Sequence, residues 1–429
     1  MRLTLVADNS TSPNWGCRAT SFALREVLST RHEIVGSIDR DLLKAPLTVG
    51  GRLPVGLHEQ LVRRLRRPRV GRVPVLGKLA FGAIDAGGQY FPPSHDIETD
   101  AELLWDLREN SAKAQRLIAE IAPCDAIVVN GEGEMIFSTP ARDSLLQTLA
   151  ICALARRMGK GIFWINGMIS LDPASAFNLA TRDAAQQALK GAKIAVRDPR
   201  SLALARDILP GMVSASFPDA LFTWSPFYRR NAALSYDASR LIPAFDRTAT
   251  SRPKCTDEPY IALSGSSQSA KNQKQAAESY TQLAQALTSL GLPVLLVETC
   301  VGDVFLRDVA RRTGLPRLGV NAPIMAGAAV MANARAFVSG RWHPGIMAAL
   351  GGTPSVFMSS NSHKTAALQD MLGYPAAHEY SAFPSSADID RIVAGTKVLL
   401  AQGADRRQQI AAVAAERAEE AWHMLQVLD

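Results

Sequence analysis

No stretch of this chain offers the roughly 18 consecutive apolar residues that a membrane-spanning helix needs. The opening run Met1-Arg2-Leu3-Thr4-Leu5-Val6-Ala7 turns polar at Asp8, so it is too short for a secretory leader and reads as a first β-strand. Cysteine is scarce. Cys17, Cys124, Cys152, Cys255 and Cys300 are scattered without a CxxC pair, which leaves no disulfide framework and points to a reducing compartment, the cytoplasm. The seven histidines are dispersed, so no metal cluster is expected. No glycine run ends in Gly-Lys-Ser/Thr, which removes a Walker loop. Internal repeats and low-complexity tracts are missing too.

What is present is ordinary globular composition. The 429 residues are 47% apolar and 20% charged, enough for two to three domains and two sizeable cores. The net charge of +7 is concentrated in Leu61-Val62-Arg63-Arg64-Leu65-Arg66-Arg67-Pro68-Arg69-Val70-Gly71-Arg72. A solvated loop explains that run. A sharper reading is a patch meeting anionic phospholipid at the inner membrane face, where each basic residue contributes about 1 kcal/mol. Nucleic acid is not an expected partner, because no aromatics are interleaved with the basic residues.

The hydrophobic pattern predicts alternating strands and helices. Residues 2–7 read as a strand, Cys17 to Thr30 as a helix, and Ile34 to Ile38 as a second strand. Residues 40–98, rich in Gly, Pro and Arg, hold no period and read as an irregular basic insertion. A helix from Ala101 to about Ile121 then leads to the apolar strand Ala126–Asn130, the kind buried in a parallel sheet. Helix Ser144–Met158, strand Ile162–Asn166, helix 174–190, strand Lys193–Arg197, helix Pro199–Ile208 and strand Met212–Ser216 follow. Residues 225–258 lose the rhythm and read as a linker. A second series then runs through strand Tyr260–Ser264, helix 274–290, strand Val294–Glu298, helices 302–313 and 323–333, strand Ala336–Ser339, a helix from Pro344 and strand Ser355–Met358. A long helix over 405–427 ends the chain. The expected fold is α/β: two Rossmann-like, doubly wound domains (1–235 and 256–404) facing across a cleft in GT-B fashion, with 405–429 as a C-terminal helix.

Ligands bind at the carboxyl ends of parallel strands, so the residues that follow each strand are the ones to inspect. Asn9 to Cys17, with Asn14 and Gly16, opens a helix whose N–H groups suit an anion or sugar hydroxyls. Gly131-Glu132-Gly133-Glu134 follows the apolar strand. Its glycines allow close approach of backbone to ligand, and its carboxylates either accept from sugar hydroxyls and act as bases or are solvated acids of a turn. Arg197 either grips a phosphate or carboxylate or pairs with its neighbour Asp198. Cys17 is read as a small buried residue before it is read as a nucleophile. The sharpest cluster is Val338-Ser339-Gly340-Arg341-Trp342-His343-Pro344-Gly345, with a permanent cation two residues from an imidazole. Asn361-Ser362-His363-Lys364 opens the helix after the next strand and adds an ammonium group.

Taken in order, several pieces resemble the polysaccharide pyruvyl transferases: Asn14-x-Gly16, Val128 to Gly133, Val196-Arg197-Asp198-x-x-Ser201, Phe217-Pro218-Asp219-Ala220, Ser339-Gly340-Arg341-x-His343 and Lys364. The resemblance covers most of the chain outside 40–98. Two departures concern the acceptor: Cys17 stands where an acid is frequent in the family, and Glu132 and Glu134 interrupt a plainer glycine run. The resemblance implies transfer of pyruvate from phosphoenolpyruvate, as co-substrate and without a further cofactor, to a sugar diol as a ketal in exopolysaccharide or cell-surface glycan synthesis. It implies His343 and Arg341 as catalytic, and Arg197, Lys364, Asn14, Gly16, Gly131, Glu132 and Glu134 as substrate-binding. A lipid-linked acceptor would give the Arg63–Arg72 stretch a docking role. Two rivals share the fold: a glycosyltransferase using a nucleotide-sugar, and a saccharide-binding relative without turnover.

Overall fold

The structure, a computed structural model, describes residues 1–50, 89–230 and 258–429. The basic run 61–72 and most of the expected linker lie outside the described residues. Among the described residues, no helix is long and apolar enough to cross a membrane.

The N-terminal domain is built on a six-stranded parallel sheet. Its strands are β1 (Arg2–Asp8), β2 (Glu33–Asp39), β5 (Ala126–Ile136), β6 (Gly161–Ser170), β7 (Lys193–Val196) and β8 (Val213–Ser216), in spatial order β2-β1-β5-β6-β7-β8. Helices α1 (Trp15–Ser29), α2 (Arg40–Lys44), α3 (Ile97–Asp106), α4 (Ala112–Ile121), α5 (Asp143–Arg157), α6 (Leu179–Ala188) and α7 (Pro199–Ile208) connect them. A small antiparallel pair, β3 (Leu47–Val49) with β4 (Gln89–Phe91), lies beside the sheet. The run Ile127-Val128-Val129 is buried because helices cover both faces of β5.

The C-terminal domain holds a five-stranded parallel sheet, ordered β11-β10-β9-β12-β13. These strands are β9 (Ile261–Ser266), β10 (Val294–Val297), β11 (Arg317–Leu318), β12 (Ala336–Gly340) and β13 (Ser355–Phe357). After the short helix α8 (Ser225–Arg230), the domain carries α9 (Gln273–Thr288), α10 (Leu306–Thr313), α11 (Ile324–Asn333), α12 (Trp342–Leu350), α13 (Lys364–Met371) and α14 (Ser386–Ala401). The final helix, α15 (Gly403–Trp422), is anchored on this domain near its start, where Arg407 donates to Ala332 O, Ala334 O and Gly351 O, and then leaves it. Through Ala414, Ala418 and Ala421 it returns to the N-terminal domain and packs on the 3₁₀ turn Ala220–Trp224 and on α8.

Several expectations change on contact with the structure. The strand expected to end at Asn130 runs on to Ile136, and the one expected to end at Asn166 runs on to Ser170; the two stay paired to Ile136↔Ser170. Gly131-Glu132-Gly133-Glu134 is therefore part of a strand and not the loop after it. The helix expected over 101–121 is two, separated by the polar Arg108-Glu109-Asn110-Ser111. The helix expected over 174–190 begins at Leu179, because the Asn178 side chain caps it by accepting from Thr181 N. In the helix expected over 302–313, a 3₁₀ turn (Val301–Asp303) precedes α10. Residues 40–98 are not wholly irregular, since α2, β3, β4 and the start of α3 fall there. Strand β11 and helix α14 were not anticipated.

One core runs continuously from α1 of the first domain to α11, α12 and α15 of the second. Trp15, wholly buried, joins the domains: its backbone N–H donates to Thr299 O at 2.9 Å and its indole to Val320 O at 2.9 Å. Gly327 leaves room beneath it, since a Cβ there would stand 2.6 Å from the indole ring. In each sheet the strand order reverses beside one strand, between β1 and β5 in the first and between β9 and β12 in the second. Such reversals open a crevice at the carboxyl ends of the strands, and here the two crevices face one another.

Candidate functional site

Between the facing crevices lies a cleft of about 260 Å³. The N-terminal domain contributes Asn14 and Cys17 from the start of α1, Arg40 from α2, Glu132 and Glu134 from β5, Arg142 from before α5, Met168 from β6 and Arg197 from the end of β7. The C-terminal domain contributes Thr299, Arg341, Trp342, His343, Asn361 and Lys364. Of the residues expected from sequence, Asn14, Glu132, Glu134, Arg197, Arg341, His343 and Lys364 are thus brought together. Gly16 and Gly131 do not line the cleft. A Cβ on Gly16 would lie 2.4 Å from His343 Nδ1, and one on Gly131 would lie 2.3 Å from Trp164 Nε1. Their lack of a side chain admits those rings.

At the centre stands Asp219, wholly buried, which the sequence reading left without a role. Its Oδ2 accepts from the Trp342 indole at 3.0 Å and lies 3.1 Å from His343 Nε2 and 3.2 Å from Arg197 Nη1. Its Oδ1 accepts from Thr20 Oγ1 at 2.7 Å and Leu221 N at 3.0 Å. Burial alone would raise the carboxyl pKa, but His343 and then Arg197 hold it well below the usual range. Asp219 therefore stays charged, fixes the Nε2 edge of His343 and leaves the Nδ1 edge toward Gly16.

Arg197 does not pair with Asp198. Asp198 caps α7 through Ser201 N and Oγ and meets His363 at 3.2 Å, whereas Arg197 stacks its guanidinium 4.5 Å from the centre of the Trp342 ring. Arg341 pairs with Asp303, which in turn accepts from Thr299 N and Oγ1. The Nε atoms of Arg197 and Arg341 are buried without a partner in the described structure. Lys364 donates to Asn361 Oδ1 at 2.8 Å. Burial, then repulsion from Arg341, Arg197 and Arg142, pulls its pKa down to about 7. A buried ammonium group crowded by three guanidinium groups makes this a candidate anion site.

On the opposite wall Glu132 Oε1 accepts from Asn9 Nδ2 at 2.7 Å and Asn130 Nδ2 at 3.3 Å. Asn130 also bonds Asn166, whose Oδ1 accepts from Ala220 N, so one buried polar network runs from the carboxylate to the residue beside Asp219. Glu134 accepts from Ser144 at 2.7 Å, and Arg142 donates to Gly133 O at 2.9 Å. Burial, then the charge of Glu132, pushes the Cys17 thiol well above its ordinary pKa, which removes a resting thiolate nucleophile. The sequence reading missed Asp219, Asp303, Arg40 and Arg142 as site residues. Only Asp219 left a signal, an acid just past a strand end.

Two parallel-sheet domains meeting at a polar, strongly cationic cleft define the GT-B class, and solved structures agree. The chain is similar to Os79 of O. sativa in complex with UDP (12% identity, 97% of this chain and 95% of that one, TM-score 0.52). It is similar to Arabidopsis thaliana UGT89C1 complexed with UDP (11% identity, 99% of each chain, TM-score 0.50). UDP-GlcNAc 2-epimerase of Neisseria meningitidis bound to UDP-GlcNAc also aligns (9% identity, 100% of this chain and 99% of that one, TM-score 0.49). No curated protein matches. The family model for polysaccharide pyruvyl transferase matches residues 65–362, and the chain belongs to that family. The match takes in Glu132, Arg197, Asp219, Arg341 and His343, reaches into the 40–98 stretch, and leaves Asn14 and Lys364 outside it.

Proposed function

We propose that this protein transfers pyruvate from phosphoenolpyruvate to a saccharide diol, forming a ketal. The observation that carries this reading is the convergence of Arg142, Arg197, Arg341 and Lys364 on one cleft lined also by His343, with Asp219 buried behind it. Phosphoenolpyruvate presents an anion at each end, and a cluster of cations supports its choice as donor. At ~30 Å³ per water-sized unit, about 260 Å³ suits a compact anion with one edge of an acceptor. Among the described residues of the lining, the one large aromatic ring, Trp342, is covered by Arg197 and offers no open platform for a base.

In this mechanism a proton is added to C3 of the enol phosphate, converting the methylene to a methyl group. A sugar hydroxyl then bonds to C2. The C2–O(phosphate) bond breaks with its electron pair going to phosphate, and the second hydroxyl closes the ketal. His343, held by Asp219, moves the proton to C3 or takes the first hydroxyl proton, a role worth roughly 10²–10⁴-fold in rate. Arg341, oriented by Asp303, and Lys364 offset the charge of the departing phosphate. Phosphate release from phosphoenolpyruvate, measured with and without a panel of saccharide diols, tests the reading. Release should require an acceptor and fall at least about a hundredfold in His343→Ala. No release with any acceptor, alongside hydrolysis of a nucleotide-sugar, transfers the protein to glycosyl transfer.

A further inference from the structure

The proton count of ketal formation calls for more than one acid-base group. Two hydroxyl protons leave the diol; one is matched by the proton gained at C3, and the other departs with phosphate. His343 serves one of these transfers. The hydroxyl that attacks C2 while the phosphate bond breaks needs a base of its own.

Glu132 is set for that task by several independent features. Its backbone φ is +33°, a left-handed value that L residues rarely adopt, and the pairing of β5 with β6 shifts register between Glu132 and Met135. The flanking Gly131 and Gly133 show that glycine is at home in this strand, so a carboxylate is kept at a point of backbone strain. The side chain is buried yet lines the cleft. Two neutral amides, Asn9 and Asn130, orient Oε1, and among the described residues no Lys or Arg forms an ion pair with it. Among the described residues, the carboxylate is thus held by neutral donors. Beside it the Cys17 thiol stays protonated and cannot compete for the proton.

Resting on the pyruvyl-transfer reading, we infer that Glu132 is the general base for the acceptor, and that the β5 wall is the acceptor subsite opposite a donor subsite of Arg341 and Lys364. In this step the acceptor O–H breaks with its proton passing to Glu132, the O–C2 bond forms, and the proton later leaves with phosphate.

The test compares wild type, Glu132→Gln and Glu132→Gly in three assays: inorganic phosphate binding by calorimetry, thermal unfolding, and acceptor-dependent phosphate release from phosphoenolpyruvate. Glu132→Gln keeps the acceptor oxygen for Asn9 and removes the charge. Phosphate affinity should stay within about threefold of wild type while kcat falls about a hundredfold or more. Glu132→Gly relaxes the backbone and opens space, so added formate should restore turnover at least about tenfold, which a structural role does not allow. Turnover of Glu132→Gln within threefold of wild type overturns the assignment, as does loss of phosphate binding together with thermal stability in both variants. Absence of phosphoenolpyruvate turnover in wild type overturns the underlying reading instead, and this inference with it.

Discussion

The two walls of the cleft are built by different means. On the N-terminal side, three adjacent strands each carry one non-glycine residue with positive φ: Ala7 in β1 (59°), Glu132 in β5 (33°) and Asn166 in β6 (57°). On the C-terminal side every positive-φ residue described is a glycine, and the working groups sit at relaxed strand-to-helix junctions after β12 and β13. The first wall spends backbone strain to aim amides and a carboxylate. The second has no strained non-glycine residue among those described, and its Arg341 and Lys364 add to the Arg40, Arg142 and Arg197 of the first. Only the first wall combines backbone strain with charge, so substitutions should separate strain from electrostatics through different measurements.

The largest effect should come where the walls meet. Asp219→Ala leaves Arg197 charged and buried without its partner, and urea unfolding should show a loss of about 3–5 kcal/mol. Asp303→Ala, whose partner Arg341 is the more exposed of the two arginines, should lose less. Equal losses would break the distinction between the more and the less buried ion pair.

The second effect is in pH dependence. The unfolded chain holds the Lys364 proton up to its ordinary value of 10.5, while the folded chain gives it up near 7. Between those values the unfolded state binds more protons, so this group makes the ligand-free protein more stable as pH rises through the window. A bound anion favours the charged ammonium and reverses the deficit. Phosphate binding at pH 8, measured by calorimetry in buffers of different ionisation heat, should therefore take up a proton, and its affinity should weaken with rising pH. Lys364→Met should abolish the uptake.

The smallest effect isolates strain itself. In a relaxed strand, Ala262→Gly in β9 should cost about 1.5 kcal/mol from lost methyl burial and added chain entropy. At Ala7 the left-handed backbone already costs about 1–2 kcal/mol, and glycine relieves it. Ala7→Gly should then be close to neutral in thermal unfolding. A loss as large as at Ala262 would remove the strained-wall account.

The contrast between the walls also explains how far the sequence could be read. Arg341, His343 and Lys364 follow short apolar strands, where hydrophobic pattern and backbone pairing stop together, so their placement was legible. On the other wall the apolar run ends at Asn130 while pairing with β6 continues to Ile136. Hydrophobicity reports burial, not hydrogen bonding, and so Glu132 was legible as a candidate while its setting in a strand was not. Asp219 stood in a readable place, but its worth depends on Arg197, Trp342 and His343, which lie far away along the chain. Arg40 and Arg142 reach the cleft from segments whose sequence carries no local mark of it.

The return of α15 to the first domain has a consequence for the protein during its synthesis. The apolar turn Ala220–Trp224 is covered by a helix that leaves the ribosome roughly two hundred residues later. Until then the first domain is released with a face still uncovered. Its completion therefore waits on the docking of α15, and the two halves of the cleft acquire their final form together.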